Sequence, residues 1–355
     1  LVSIAIVFGT RPEIIKMAPI IYELQKRKIR YVIIHSGQHY SYEMDRVFFK
    51  QLHLPNPTYT LEVGSMPRPQ QLATIVDRVS KALKSAKPDV VLVQGDTNTV
   101  LGGALAAKTL GIKIGHVEAG LRSYDQRMPE ETNRILADHC SDLLFAPTRH
   151  SKNILLGEGI PRKKIFVTGN TIVDSVYSNL GNIQADLTQK LKVAPKQYFL
   201  TSIHRQENVD DVKTFSSLIT ALKRTGKMFR LPVVYPIRPR SAKMAKKFKI
   251  SLKGITIVPP VDYFSFLYLK KNARLVLTDS GGVQEESCIL GVPCVTLRNS
   301  TERPETVLVG SNMVAGTTPD GIVFAVKKML DRKKPWKNPF GDGKSASRIV
   351  DICCR

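Results

Sequence analysis

The chain has 355 residues, 43% of them hydrophobic and 23% charged, which suits a globular protein long enough for two domains. No apolar run approaches the eighteen or so residues of a membrane span, so a membrane-embedded protein is excluded. The net charge of +23 raises nucleic-acid binding, but the basic residues are dispersed and KMAKKFK (243–249) and DRKKPWK (331–337) read as solvated faces. With no recognised nucleic-acid motif, that reading is disfavoured; a field of this sign also draws in a small anion such as a nucleotide diphosphate.

In chain order, LVSIAIVFGT is short and lacks a basic leader, so it reads as a first strand rather than a signal peptide. β-Branched runs then alternate with helix-like stretches: SIAIVF with PEIIKMAPIIYELQKR, YVIIHSG with YEMDRVFFKQL, DVVLVQG with TVLGGALAAKTL. IKIGHVEAG, DLLFAP and KIFVTG continue the pattern to about residue 170. Nearly continuous apolar strands between helices predict a parallel sheet covered on both faces. After the polar stretch 179–197 the alternation restarts with QYFLTSI, LPVVYPI, GITIVPP, RLVLTDS and VPCVTL. The expected fold is α/β, with two doubly wound Rossmann-like domains: residues 1–172, residues 173–335, and a terminal segment 336–355. Ligands of open α/β sheets bind beyond the carboxyl ends of the strands, so the site is expected in a cleft between the two domains. Five cysteines without framework spacing (Cys140, Cys288, Cys294, Cys353, Cys354) suit reduced thiols in a cytoplasm.

Polar residues that directly follow a strand are the ones such a fold delivers to its site. After SIAIVF comes GTRPE, where Gly9 permits a tight turn, Pro12 suits the first helical turn, and Arg11 and Lys16 outline an anion site. Alone, this reads equally as surface charge beside a turn. After RLVLTD comes SGGVQEE: Ser280, Gly281 and Gly282 offer backbone N–H groups at a helix mouth, and Glu286 can accept from both ribose hydroxyls. Neither G-x-G-x-x-G nor G-x-x-x-x-G-K-[ST] is present, so neither NAD nor ATP is expected in those modes, and no cofactor is implied. His116 and Glu118 form an H-x-E, but the P-C-x-x-C of zinc deaminases is missing after Pro293 and Cys294, and no metal site is expected.

Three carboxylates remain. Asp96 and Glu118 each follow a strand, and Glu130 stands at a helix start. Individually they read as a helix cap, a partner of Arg122 and a first-turn charge. Together they converge on one strand-end face, where grouped carboxylates raise one another's pKa and serve as acid and base. His204 follows the first strand of the second half, suited to bind phosphate as a cation or to protonate a leaving group. Of the arginines in HVEAGLRSYDQRMPEETNR, Arg122 is expected to anchor the loop, and Arg127 and Arg134 are read as solvated.

GTRPEIIKMAP, QGDTNT, GHVEAGLR, MPEETNR, GNTIVD, LTDSGGVQEE and TERPET, in this order and spacing, resemble the non-hydrolysing UDP-N-acetylglucosamine 2-epimerases. The resemblance runs from residue 3 to about residue 350, and IIHSGQHYSYEMD and CILGVPCVTLR bring it nearest the archaeal branch. It implies a glycosyltransferase-B-like architecture, reversible exchange of UDP-N-acetylglucosamine and UDP-N-acetylmannosamine, and commonly a homodimer. It places the nucleotide contacts on Arg11, Lys16, His204, Phe266, Ser280, Gly281, Gly282, Glu286 and Arg303. The essential acids it implies are Asp96, Glu118 and Glu130, with His204 beside them; the base among the three carboxylates stays open.

Chemistry suits that list. The proton on carbon 2 of a 2-acetamido sugar is not acidic, and without NAD the remaining route is to expel UDP from carbon 1 and eliminate to a 2-acetamidoglucal. Two neighbouring readings stay within the fold: a 2-epimerase of a UDP-diacetamido uronic acid, and a hydrolysing enzyme that releases N-acetylmannosamine. One departure stands out, since YPIRPR carries Arg238 where the family usually has a His in YPxHP. In bacterial members that His, with the pair matched by Gln38 and His39, belongs to a second, activating substrate site. Arg238 predicts altered regulation with catalysis kept.

Overall fold

The computed structural model describes residues 2–38, 42–182 and 191–355. Two compact units emerge, one formed by Leu1–Tyr177 with Phe340–Arg355, the other by Ser178–Pro339.

The first unit is a seven-stranded parallel sheet in the order β3-β2-β1-β4-β5-β6-β7. Its strands are β1 (Ser3–Phe8), β2 (Arg30–His35), β3 (Tyr59–Thr60), β4 (Val90–Gln94), β5 (Lys113–Val117), β6 (Leu143–Ala146) and β7 (Ile165–Val167). Helices α1 (Arg11–Lys26), α2 (Tyr42–Gln51), α3 (Arg68–Ala86), α4 (Asn98–Thr109), α5 (Pro129–Cys140), α6 (Arg149–Gly157) and α7 (Thr171–Asn179) make the crossovers. Strands β1, β4 and β6 are apolar almost throughout and buried on both faces, as a parallel sheet sandwiched by helices requires. Strand order reverses between β1 and β4, the kind of position at which open α/β sheets bind ligands.

The second unit repeats the plan with β8 (Phe199–Ser202), β9 (Val233–Pro236), β10 (Thr256–Val258), β11 (Leu275–Thr278), β12 (Cys294–Thr296) and β13 (Asn312–Val314), all parallel, in the order β10-β9-β8-β11-β12-β13. Its switch point lies between β8 and β11. Its main core joins one sheet face to the helices Val212–Phe229 and Pro319–Leu330, through Phe199, Phe215, Leu218, Leu277 and Val326, and a second cluster with Leu200, Val234 and Val276 covers the other face.

The C-terminal helix Ser345–Cys353 belongs to the first unit. Arg27 holds it from α1, donating to Asp351 Oδ1 at 2.5 Å and Ser347 Oγ at 2.7 Å. Asp174 of α7 accepts from the Ala346 and Ser345 N–H groups at 3.0 and 3.2 Å, the role of an N-cap supplied from another helix. The doubly wound α/β class expected from the alternation is the one observed. Two strands were not anticipated, β3 and β13; both are edge strands of two or three residues, too short to show a period. Among the described residues no helix is long and apolar enough to cross a membrane.

Candidate active site

At the switch point of the first unit, the β1–α1 loop meets the β4–α4 loop. Gly9 is there for space rather than for a turn: its φ is not in the left-handed region, and a Cβ would sit 1.9 Å from Ser36 Oγ and 2.6 Å from Thr99 Oγ1. Four residues on, Glu13 is buried in the first turn of α1. It accepts from Gly9 N–H at 3.0 Å and Thr10 Oγ1 at 2.7 Å on one oxygen, and from Thr97 Oγ1 at 2.8 Å on the other. The carboxyl thus ties the two loops together.

Burial pushes the Glu13 pKa up to about 7, against the three hydrogen bonds that lower it. A carboxyl whose folded pKa lies above its unfolded value of 4.5 stabilises fully below that value, and the contribution is lost as pH rises through about 7. Shifts of this size correspond to roughly 3 kcal/mol. Urea midpoints of the wild type should therefore fall relative to those of Glu13→Gln between pH 4.5 and 7.5; parallel profiles would contradict the assignment.

The strand-end acids occupy distinct surroundings. Glu118 follows β5 with φ of +71°, a left-handed conformation that costs a non-glycine residue about 1 kcal/mol or more. Its buried Oε2 lies 2.6 Å from Lys16 Nζ, and Gln94 Nε2 donates to the same oxygen. Lys16, assigned by resemblance to UDP, is here the cation of a buried pair with one of the acids. Asp96 follows β4 and receives Arg134 Nη2 at 2.5 Å; it is not the cap of α4, which is Thr97. Glu130, at the second position of α5, is half-buried and has no hydrogen-bond or ion-pair partner among the described residues. Arg11 opens α1 with its guanidinium over the Phe48 ring, 5.1 Å from the centroid.

Two readings of the arginines in this stretch need correction. Arg134 is not solvated: buried on α5, it bridges Asp96 and Glu131, the latter at 2.6 Å. Arg122 does anchor the loop, but through Asp138 at 2.7 Å and Glu158 at 2.6 Å rather than through Glu118. Arg127 is exposed and pairs with Asp125. Glu131 accepts from the N–H groups of Ser123 and Tyr124 at 3.0 and 2.9 Å, closing the loop onto the start of α5. Residues 131, 134 and 138 lie one turn apart on α5, so a single helix face organises the acids. Sequence reasoning missed Glu131, Arg134 and Asp138 as part of the site; their three-and-four spacing was the available signal.

At the switch point of the second unit, Asp279 directly follows β11 and is fully buried. It accepts from His204 N–H at 3.0 Å, Arg205 N–H at 2.9 Å and Asn208 Nδ2 at 3.1 Å, and His204 Nδ1 lies 3.2 Å away. Although burial alone would raise its pKa, the His204 charge and these hydrogen bonds hold it down at about 2. Asp279 is thereby the anchor of the His204 loop, a role the sequence reading did not give it. Ser280 is the N-cap of helix Gly281–Ile289 without a side-chain cap bond. First-turn N–H groups of a helix have no intrahelical acceptor, and a Cβ added at Gly282 in that turn would meet nothing within 4 Å. A Cβ on Gly281 would meet Glu302 Oε1 at 2.4 Å, so this glycine serves close approach. Buried Glu302, in TERPET, receives Arg298 at 2.8 Å and Arg205 at 3.1 Å. Neighbouring Arg303 reaches Glu285 at 2.6 Å. Glu286 pairs with Lys270, which is fully buried with its ammonium 4.8 Å from the Phe266 ring centroid. That cation holds one Glu286 oxygen.

Of the residues matched to a second site, Gln38 is buried, accepting from Thr99 N–H at 2.9 Å and Thr99 Oγ1 at 2.6 Å. Arg238 is exposed at the N-cap of helix Pro239–Lys247. His39 lies outside the described residues.

Two doubly wound parallel sheets, each with charged residues gathered where its strand order reverses, define an α/β protein of the glycosyltransferase-B-like class. A rice protein crystallised with UDP, Os79, shares this fold at a TM-score of 0.62 and only 11% identity. Within that class the chain belongs to the UDP-N-acetylglucosamine 2-epimerase family, whose model matches residues 22–353. The UDP-N-acetylglucosamine 2-epimerase of Methanocaldococcus jannaschii is 50% identical over 361 residues, 99% of this chain and 98% of the relative. A crystal structure of the M. jannaschii enzyme with UDP-GlcNAc and UDP superposes with a TM-score of 0.93, covering 99% of both chains. The UDP-2,3-diacetamido-2,3-dideoxy-D-glucuronate 2-epimerase of Pseudomonas aeruginosa is 36% identical, covering 99% of both.

Proposed function

We propose that this protein reversibly inverts carbon 2 of UDP-N-acetylglucosamine to give UDP-N-acetylmannosamine. The observation that carries the reading is the placement of Asp96 and Glu118 after the carboxyl ends of the paired strands β4 and β5, in a chain 50% identical over 99% of its length to a UDP-N-acetylglucosamine 2-epimerase.

The first step breaks the bond between carbon 1 and the diphosphate oxygen. Electrons leave with UDP, and the oxocarbenium-like centre left behind acidifies the proton on carbon 2. A carboxylate removes that proton, giving the 2-acetamidoglucal. Proton return to the opposite face and re-addition of UDP complete the inversion. In this scheme Ser280, Gly281 and Gly282 hold the diphosphate through the N-terminus of their helix, His204, Arg11 and Arg303 offset its growing charge, and Glu286 and Phe266 hold the nucleoside. Asp96, Glu118 and Glu130 divide the work of removing the proton, returning it and stabilising the cationic ring. Lys16 supports it as the buried partner of Glu118.

A diacetamido uronate substrate has a named precedent in the P. aeruginosa relative. Incubation with each nucleotide sugar, followed by anion-exchange separation, tests the choice. UDP-N-acetylmannosamine without accumulating UDP supports the reading, whereas turnover of the uronate alone, or free N-acetylmannosamine with equimolar UDP, contradicts it. The working species is taken to be a cytoplasmic homodimer, which a single-chain mass by light scattering would contradict.

Regulation should differ from that of bacterial relatives, because Arg238 replaces the family's histidine. UDP-N-acetylmannosamine alone is expected to turn over at no less than about half the rate seen with added UDP-N-acetylglucosamine. An absolute requirement for the second nucleotide sugar would overturn this expectation. Arg is a diphosphate ligand of different geometry, so the change of residue alters the site rather than erasing its charge.

A further inference from the structure

His116 is buried beneath the strand-end acids, and the scheme above gives it no part. Its Nδ1 lies 2.7 Å from Asp138 Oδ1, and its Nε2 lies 2.8 Å from the carbonyl oxygen of Gly95. A carbonyl has no proton to give, and the Asp138 carboxylate already accepts from Gly120 N–H at 3.1 Å and from Arg122. Both ring nitrogens therefore donate, and the ring is an imidazolium. Burial works against that charge, but the adjacent Asp138 outweighs it, and the His116 pKa is raised while that of Asp138 is lowered.

The two ends of this pair grip the main chain beside both acids. Gly95 directly precedes Asp96, and Gly120 stands two residues after Glu118. All three backbone positions involved are left-handed: Gly95 at +87°, Glu118 at +71° and Gly120 at +80°. Glycine adopts this conformation freely, whereas at Glu118 it persists where surrounding bonds over-determine it. Here the bonds are those of His116 to Gly95 and of Asp138 to Gly120, with Asp138 carried on α5.

We propose that His116 is a positioning residue of the epimerisation: with Asp138 it forms a clamp that fixes the Asp96 turn against the Glu118 turn. It touches no substrate in this role. The inference rests on the reading given under Proposed function for the part the two acids play.

Replacing His116 by Gln and by Asn separates the clamp from simple core filling. A glutamine amide reaches outward like Nε2, towards the Gly95 carbonyl, whereas an asparagine amide stands where Nδ1 does, on the Asp138 side. The clamp predicts a kcat loss of about 100-fold for His116→Asn, the scale of a misplacement near 1 Å. For His116→Gln it predicts at least about tenfold recovery over Asn, and for both a KM and a UDP affinity within about threefold of wild type. Equal activities of the two variants, or UDP affinity falling in step with kcat, would overturn it. Nitrogen-15 histidine spectra of the wild type at pH 7 supply a readout independent of turnover. A ring with both nitrogens protonated that disappears in His116→Gln is expected; a neutral tautomer at His116 would sink the clamp. A wild type that binds UDP but leaves UDP-N-acetylglucosamine unchanged would instead overturn the functional reading, with the spectra still deciding the protonation.

Discussion

Glu118→Gln is expected to lower kcat by about 1,000-fold, the middle of the range for loss of a general acid or base, with UDP affinity within about threefold of wild type. Glutamine keeps the shape and the left-handed turn but removes the anion beside Lys16. Because the two side chains are 8% and 3% exposed, the variant also takes the Glu118 charge away from a buried ammonium. Breaking such a pair from one side costs about 3–5 kcal/mol, whereas replacing both partners by neutral groups of similar size is often harmless. The double variant Lys16→Met with Glu118→Gln should therefore regain most of the stability and none of the activity. Steady-state kinetics and urea unfolding of the three proteins check both halves. Activity within tenfold of wild type in Glu118→Gln would remove this residue from the proton-transfer set.

The second large effect falls on Asp279. Asp279→Asn replaces an acceptor of several converging donors by an amide that itself donates, so at least one bond from the His204 loop is lost and a donor is turned against it. Stability should drop by about 2–4 kcal/mol, and UDP affinity by more than about tenfold, because His204 and Arg205 lose their common anchor. The pH dependence gives a separate check. A carboxyl held at about 2 in the folded state, against 3.8 ordinarily, stabilises above the unfolded value, and the gain is lost as pH falls through about 2. The wild type should thus lose its advantage over Asp279→Asn progressively below about pH 4. Calorimetric UDP titrations that superimpose for the two proteins would contradict the anchoring role.

Which polar segments stand at strand ends was legible in the sequence, because apolar runs ending in a polar residue or a glycine are legible locally. GTRPE, GDTNT, HVEAG, SIHR and TDSGG all stand at the carboxyl ends of strands, four of them beside a switch point. Which charge meets which was not legible. Arg134 reaches Asp96 across 38 residues, and Arg205 reaches Glu302 across 97; no local periodicity encodes such pairings. For the same reason no local pattern marks Lys270, which is fully buried against Glu286. Gly9 was expected to supply a turn, and the close approach of Ser36 and Thr99 is a tertiary fact with no trace in GTRPE. The edge strands β3 and β13 escaped because pairing at an edge needs only two or three residues. The excess of carboxylates in HVEAGLRSYDQRMPEETNR divides, on this structure, into acids proposed for proton transfer and acids that hold them in place. Glu118 and Glu130 belong to the first group and Glu131 to the second, while Asp125 pairs with the exposed Arg127.

Carbon 2 of the sugar is the atom on which the whole account turns. Proton NMR of UDP-N-acetylglucosamine incubated with the protein in deuterated water should show the carbon 2 proton replaced by deuterium. Signals of UDP-N-acetylmannosamine should grow, also deuterated at carbon 2, to a fixed equilibrium ratio from either substrate. A manno product that retains the original proton, or no exchange in a protein that binds UDP, would contradict elimination and re-addition at this site.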